Sequence, residues 1–174
     1  MNLLKKYVRF ADSINESMGR IVSWLTTLMV LTVFYDVILR YCFNRGNIGV
    51  QELEWHLFAV IFLIGAAYAL KNDAHVRVDI LYTGFSARTK AWIDFLGTFI
   101  LLIPFAAMVI YSSADFIMNS WEVKEISPDP GGLPARYVLK AMIPLGFFLL
   151  IVQGISQAFK SFFLIIGNDR EGHI

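Results

Sequence analysis

Charge is almost absent from four long stretches of the chain. Between Arg20 and Arg40 only Asp36 is ionised. From Gln51 to Leu70 the ionised residues, Glu52 and Glu54, stand at the entry end. Nothing is ionised between Asp94 and Asp115, or between Lys140 and Lys160. A helix rises about 1.5 Å per residue, so roughly 20 residues cross a hydrocarbon core about 30 Å thick. The pattern predicts an all-α membrane protein with four transmembrane helices, near residues 19–42, 50–71, 90–116 and 136–161.

The segment before the first span is amphipathic. Residues 1–18 place Leu3, Leu4, Tyr7, Val8, Ala11, Ile14 and Met18 on one helical face, with Lys5, Lys6, Arg9, Asp12 and Glu16 elsewhere. This predicts an N-terminal amphipathic interfacial helix lying flat on the membrane. A frayed tail is the plainer alternative. The apolar run after Arg20 is long and no small-residue cleavage site follows it, so it reads as a retained helix.

With four spans, both ends of the chain fall on one side. That side carries Lys5, Lys6, Arg9, Arg20, Lys71, Arg77, Arg88, Lys90, Lys160 and Arg170, ten in all. The other carries Arg40, Arg45, Lys124, Arg136 and Lys140, five in all. Positive connectors stay inside, so both termini are expected in the cytoplasm. Trp24, Trp55, Trp92 and Trp121 lie near predicted helix ends, where interfacial anchors belong.

Composition adds exclusions. The chain is 57% hydrophobic and 17% charged, against roughly a quarter charged in soluble domains. The spans and their connectors consume nearly all of residues 1–174, so one membrane domain is expected. A net charge of +1 offers nothing to nucleic acid. The single cysteine, Cys42, excludes cysteine-pair redox chemistry. His56 has no histidine partner in another span, since His75 and His173 fall in a connector and the tail. No haem, metal or other cofactor is expected, and no enzyme-like nucleophile and base come together.

Several polar residues are candidates for function. Asp36 and Arg40 are four apart and share a face, either as an ion or proton site, or as a self-paired couple or a contact with a partner protein. Glu52, Glu54 and His56 cluster where the second span begins, where acids complement the helix dipole. Gly65, Ala66, Ala67 and Ala69 give that span a small face for close packing, with Gly97 a possible match. The run His75, Val76, Arg77, Val78, Asp79 puts paired charges just past the span. Pro128, Asp129, Pro130, Gly131, Gly132, Leu133 and Pro134 form a stiff, turned external loop, with Pro134 suited to the first turn of the last helix. Pro104 and Pro144 are expected to kink their spans.

Glu52, then Gly65-Ala66-Ala67, then His75-Val76-Arg77-Val78-Asp79 resembles the small, DctQ-like membrane subunit of tripartite ATP-independent periplasmic (TRAP) transporters. The order of parts agrees along essentially the whole chain. The Pro-Asp-Pro-Gly-Gly-Leu-Pro run with Lys140 is similar to the branch handling 2-oxo, hydroxy and related organic acids. The resemblance implies two protein partners in the bacterial inner membrane system. One is a large elevator-type subunit that carries the acid with sodium; the other is a periplasmic binding protein that delivers it. This chain would scaffold the large subunit in the phospholipid bilayer. Glu52, Gly65, His75, Arg77 and Asp79 would be the family-motif and orienting residues. The outer connectors, residues 43–50 and 119–135, would touch the binding protein, Asp129, Gly131, Gly132 and Leu133 among them. The rival reading is a self-sufficient oligomeric transporter or channel, with Asp36, Arg40 and Glu52 lining a pathway.

Overall fold

The computed structural model describes residues 2–74 and 84–167, and no strand occurs among them. The helices are α1 (Asn2–Cys42), α2 (Ile48–Lys71), α3 (Ala87–Gly97), α4 (Ile103–Glu122) and α5 (Arg136–Ile166). A π-helical turn, Thr98–Leu102, joins α3 to α4, so those two form one column. The four columns are each long and apolar enough to cross a membrane.

Local chemistry sets the helix ends. The Asn47 side chain accepts the Val50 N–H and starts α2. Ser86 does the same for α3 through the Thr89 N–H. α2 thus begins at Ile48, two residues before the expected start. Glu52 and Glu54 therefore lie beyond the first turn, and dipole complementarity does not account for them. α5 begins after Ala135, which is left-handed at φ 61°. Pro134 stands outside the helix, not in its first turn. Gly167, at φ 73°, ends α5 in a conformation suited to a residue without Cβ.

The boundary expected near residue 18 is absent. α1 runs unbroken for 41 residues, about 60 Å at the usual rise. Nothing in this stretch breaks a helix except Gly19, and the Tyr68 ring of α2 lies where a Cβ on Gly19 would project. The N-terminal turns do not stand apart as a separate helix. Val8, Ala11 and Asn15 are buried. Tyr7 meets Phe159 edge-on at 5.7 Å and donates to the Val152 carbonyl at 3.1 Å. Tyr7 thus ties these turns to α5, while Leu3 stays exposed.

The kink expected at Pro104 takes the form of the π turn. Proline has no N–H and its ring crowds the carbonyl four residues back. The Ile103 N–H reaches Thr98 O, five residues back, widening the helix there. Ala91, Thr98, Ala106, Ser113 and Ser120 are the buried residues of this column. They recur every seventh position, except for a step of eight across the π turn. One extra residue would rotate the remaining face by about 100°; the π turn absorbs it.

α5 lies between α1–α2 on one side and α3–α4 on the other. The buried nucleus is small, built from Ile64, Ala67 and Leu149. Large apolar side chains such as Trp24, Phe34, Phe62 and Tyr111 face outward, as lipid or a membrane partner requires. Gly97 does not match the small stripe of α2: nothing lies within 4 Å of its missing Cβ. Gly65 faces Val22 of α1. Besides Gly19 against Tyr68, the close helix approaches belong to α5, which is packed from both sides. A Cβ on Gly146 would lie 2.6 Å from the Leu63 carbonyl oxygen, and one on Gly154 would lie 2.9 Å from Leu102. Because the obstacle at Gly146 is backbone, Gly146→Ala is expected to cost about 1–3 kcal/mol as α2 and α5 are forced apart. Thermal melts in detergent measure this, and an unchanged melt would contradict the close contact.

Candidate functional site

Glu52 is the best-connected side chain at the end where the loop between α4 and α5 lies. It projects from the second turn of α2 and is nearly fully buried, at 4% exposure. Its Oε1 accepts from Ser127 Oγ at 2.5 Å and from Arg136 Nη2 at 3.3 Å. Its Oε2 accepts the Leu133 backbone N–H at 2.5 Å. One carboxylate therefore ties α2 to both ends of the loop and to the start of α5. The loop is closed on itself as well. Ser127 N–H donates to Leu133 O at 3.1 Å, and Gly132 N–H donates to Asp129 O at 3.0 Å. A Cβ on Gly132 would come within 2.8 Å of Glu52 Oε2, so only glycine fits beside the carboxylate. The guanidinium of Arg136 also stands over Trp55 at 5.5 Å.

The loop has a second fastening below the clamp. Arg136 N–H donates to Glu125 O at 3.1 Å, and Lys140 pairs with the Glu125 carboxylate. The hydrogen bond from Lys140 holds the Glu125 carboxyl below its ordinary range. A depressed carboxylate pKa stabilises the fold above the ordinary value and loses that contribution as pH falls through the folded value. The loop is therefore expected to stay closed from pH 8 down to the ordinary glutamate range, about 4.3, and to loosen only below it. Fluorescence of Trp121, which packs edge-on against Tyr137 at 4.8 Å, reports this. A change near neutral pH would contradict it.

Asp36 and Arg40 meet as an ion pair one turn apart. Asp36 is fully buried and Arg40 half exposed. Among the described residues, Asp36 Oδ1 and Glu54 Oε1 are buried without hydrogen-bond partners. His56 turns back on its own helix, with Nδ1 2.6 Å from Glu52 O. Asp129 and Gly131 are exposed at the loop tip, while Gly132 and Leu133 are turned in toward Glu52. Trp24, Trp55, Trp92 and Trp121 are all exposed. His75, Arg77 and Asp79 lie outside the described residues. Among the described residues no three of His, Cys, Asp and Glu gather as a metal ion would need.

A second polar cluster, which the sequence reading missed, sits at the opposite end. Asp12 of α1 accepts from Gln153 Nε2 at 3.0 Å, Ser156 Oγ at 3.1 Å and Lys160 Nζ at 2.7 Å, all on α5. Asn15 Nδ2 donates to Gln153 Oε1 at 2.8 Å. Glu16 pairs with Lys71 of α2. A signal was available: Gln153, Ser156 and Lys160 stand at i, i+3 and i+7, one polar stripe on an apolar helix.

Together these features define a multi-pass helical membrane protein whose buried polar groups are spent on tying its own helices together at both ends. Sequence comparison gives the family. Residues 29–164 match the model for "Tripartite ATP-independent periplasmic transporters, DctQ component". The chain belongs to this family and is a small permease subunit of a TRAP transporter. It is 29% identical over 155 residues to a Haemophilus influenzae protein named "Putative TRAP transporter small permease protein", covering 87% of this chain and 94% of that one. It is 33% identical over 82 residues to the C4-dicarboxylate TRAP transporter small permease protein DctQ of Vibrio cholerae, covering 47% of this chain and 34% of that one. It is 29% identical over 109 residues to the protein of the same description from Rhodobacter capsulatus, covering 63% of this chain and 47% of that one.

Proposed function

We propose that this chain is the stationary frame of its transporter. It holds a large elevator-type membrane subunit at fixed depth in the bacterial inner membrane. That subunit carries a small organic acid inward with sodium, and a periplasmic binding protein delivers the acid. Both ends of the frame lie in the cytoplasm, and residues 75–79 orient the connector on that side. The outer connectors, including Asp129 and Gly131, meet the binding protein. Trp24, Trp55, Trp92 and Trp121 fix its depth.

One observation carries the reading: the Glu52 clamp and the Asp12 cluster tie helices to one another at opposite ends. All of the hydrogen bonds described for Glu52 go to this chain's own loop and helix, which stiffens the frame. The outward faces are apolar, as a large membrane partner or lipid requires. A frame of this kind is silent by itself. Vesicles holding this chain alone are expected to accumulate no organic acid under a sodium gradient, and vesicles holding it with the large subunit and binding protein are expected to do so. Uptake by the chain alone would overturn the reading and favour an oligomeric transporter. Crosslinks from residues 127–133 to the binding protein test the docking surface.

A further inference from the structure

We propose that the groove between the N-terminal turns of α1 and the far end of α5 seats one anionic phospholipid. The groove encloses about 570 Å³. Leu4, Tyr7 and Phe10 of α1 wall one side, Ile155 and Phe159 of α5 wall the other, and Lys6 stands at its edge. Phe10 is 61% exposed although it is among the largest apolar side chains of this segment.

The charges beside the groove identify the occupant. The acids nearest along α1 are already neutralised, Asp12 by Lys160 and Glu16 by Lys71. Among the described residues no carboxylate pairs with Lys6 or Arg9. These two cations are three residues apart and so lie on neighbouring parts of one helix surface. They are exposed, and Lys6 borders the apolar trough. Lys160, close by on α5, marks the end of a charge-free span, so the trough opens where hydrocarbon gives way to headgroups. An occupant must be apolar along the groove and anionic at the end held by Lys6 and Arg9. A phospholipid with a net negative headgroup has both parts. The Tyr7 hydroxyl is already committed to Val152 O, so headgroup recognition falls to the two cations. The lipid would lie over the seam between α1 and α5 and brace it.

The test uses the whole complex, delipidated in detergent and supplied with phosphatidylglycerol or phosphatidylcholine of identical chains. Native mass spectrometry is expected to show preferential retention of phosphatidylglycerol. Each surface cation contributes about fivefold, so Lys6→Gln with Arg9→Gln should bring the preference close to one. Ile155→Trp, which fills the groove and keeps both charges, should lower retention of both lipids. Inorganic phosphate should not displace the lipid. A photocrosslinker at Phe10 in native membranes should yield a lipid adduct. Equal retention of the two lipids by the unaltered protein overturns the proposal, as does an unchanged preference in the double variant. Displacement by phosphate assigns the cations to a free anion instead, and a crosslink to protein assigns the groove to a protein segment; either overturns it.

Discussion

Glu52→Ala is expected to cut transport severely, with whatever uptake remains keeping the same choice of substrate. The substitution removes the acceptor for Ser127 Oγ and for the Leu133 N–H, and strips Arg136 of its carboxylate. A buried donor without an acceptor costs more than the original bond gained. The loop from Ser127 to Arg136 should therefore swing away from α2, and the start of α5 with it. Glu52→Gln should fall between alanine and the unaltered protein. Its amide oxygen can serve Leu133 and its NH2 group can donate to the Ser127 hydroxyl, but that NH2 presents a donor to the Arg136 guanidinium, which cannot accept. Uptake in vesicles carrying all three proteins, together with the melting temperature of the purified membrane complex, measures both. A Glu52→Ala protein that melts normally and transports would show that the clamp is ornamental. One that melts normally and changes its preferred acid would place Glu52 on the substrate path.

The second large effect concerns the buried charge of α1. Arg40→Ala leaves the Asp36 carboxylate inside the protein with neither counter-charge nor a partner for Oδ1. Breaking a buried pair from one side commonly costs about 3–5 kcal/mol. Here the cost should fall below that range, at about 2–3 kcal/mol, because Arg40 is half exposed and its pairing is partly screened. Replacing both residues, Asp36→Leu with Arg40→Leu, should recover most of the loss, since an apolar pair needs no partner. Thermal melts of the two variants decide the matter. If Arg40→Ala and the double variant lose transport equally while melting normally, the pair serves transport and not the fold.

Much of the architecture was legible in the chain. Long charge-free runs located all four columns, because lipid tolerates neither charge nor open backbone. The flaws came where one helix answers to another. Amphipathicity before residue 18 and apolarity after it looked like two elements, but Gly19 alone does not break the helix there. Gly97 was singled out by residue type, but Gly19 holds the tight contact of α1 with α2, and Gly146 and Gly154 hold those of α5, which is approached from both sides. Glu52 was legible as a residue and not as a role. Its partners lie 75 to 84 positions downstream, and no periodicity reaches that far. The Asp12 cluster was hidden by a still longer separation, 141 to 148 positions, although the stripe on α5 could have betrayed half of it.

The π turn at Thr98–Leu102 carries a consequence for tolerance to length change. The column holding it counts one residue too many for a straight α-helix. Removing Pro104 itself, which also removes the ring that crowds the preceding turn, would let an ordinary winding carry the same small side chains along the seam with α5. Removing one residue between Ala106 and Ser113 instead would twist everything beyond it a quarter-turn away from α5. Spare length in this helix therefore sits at one address, and only there is a deletion harmless to the packing.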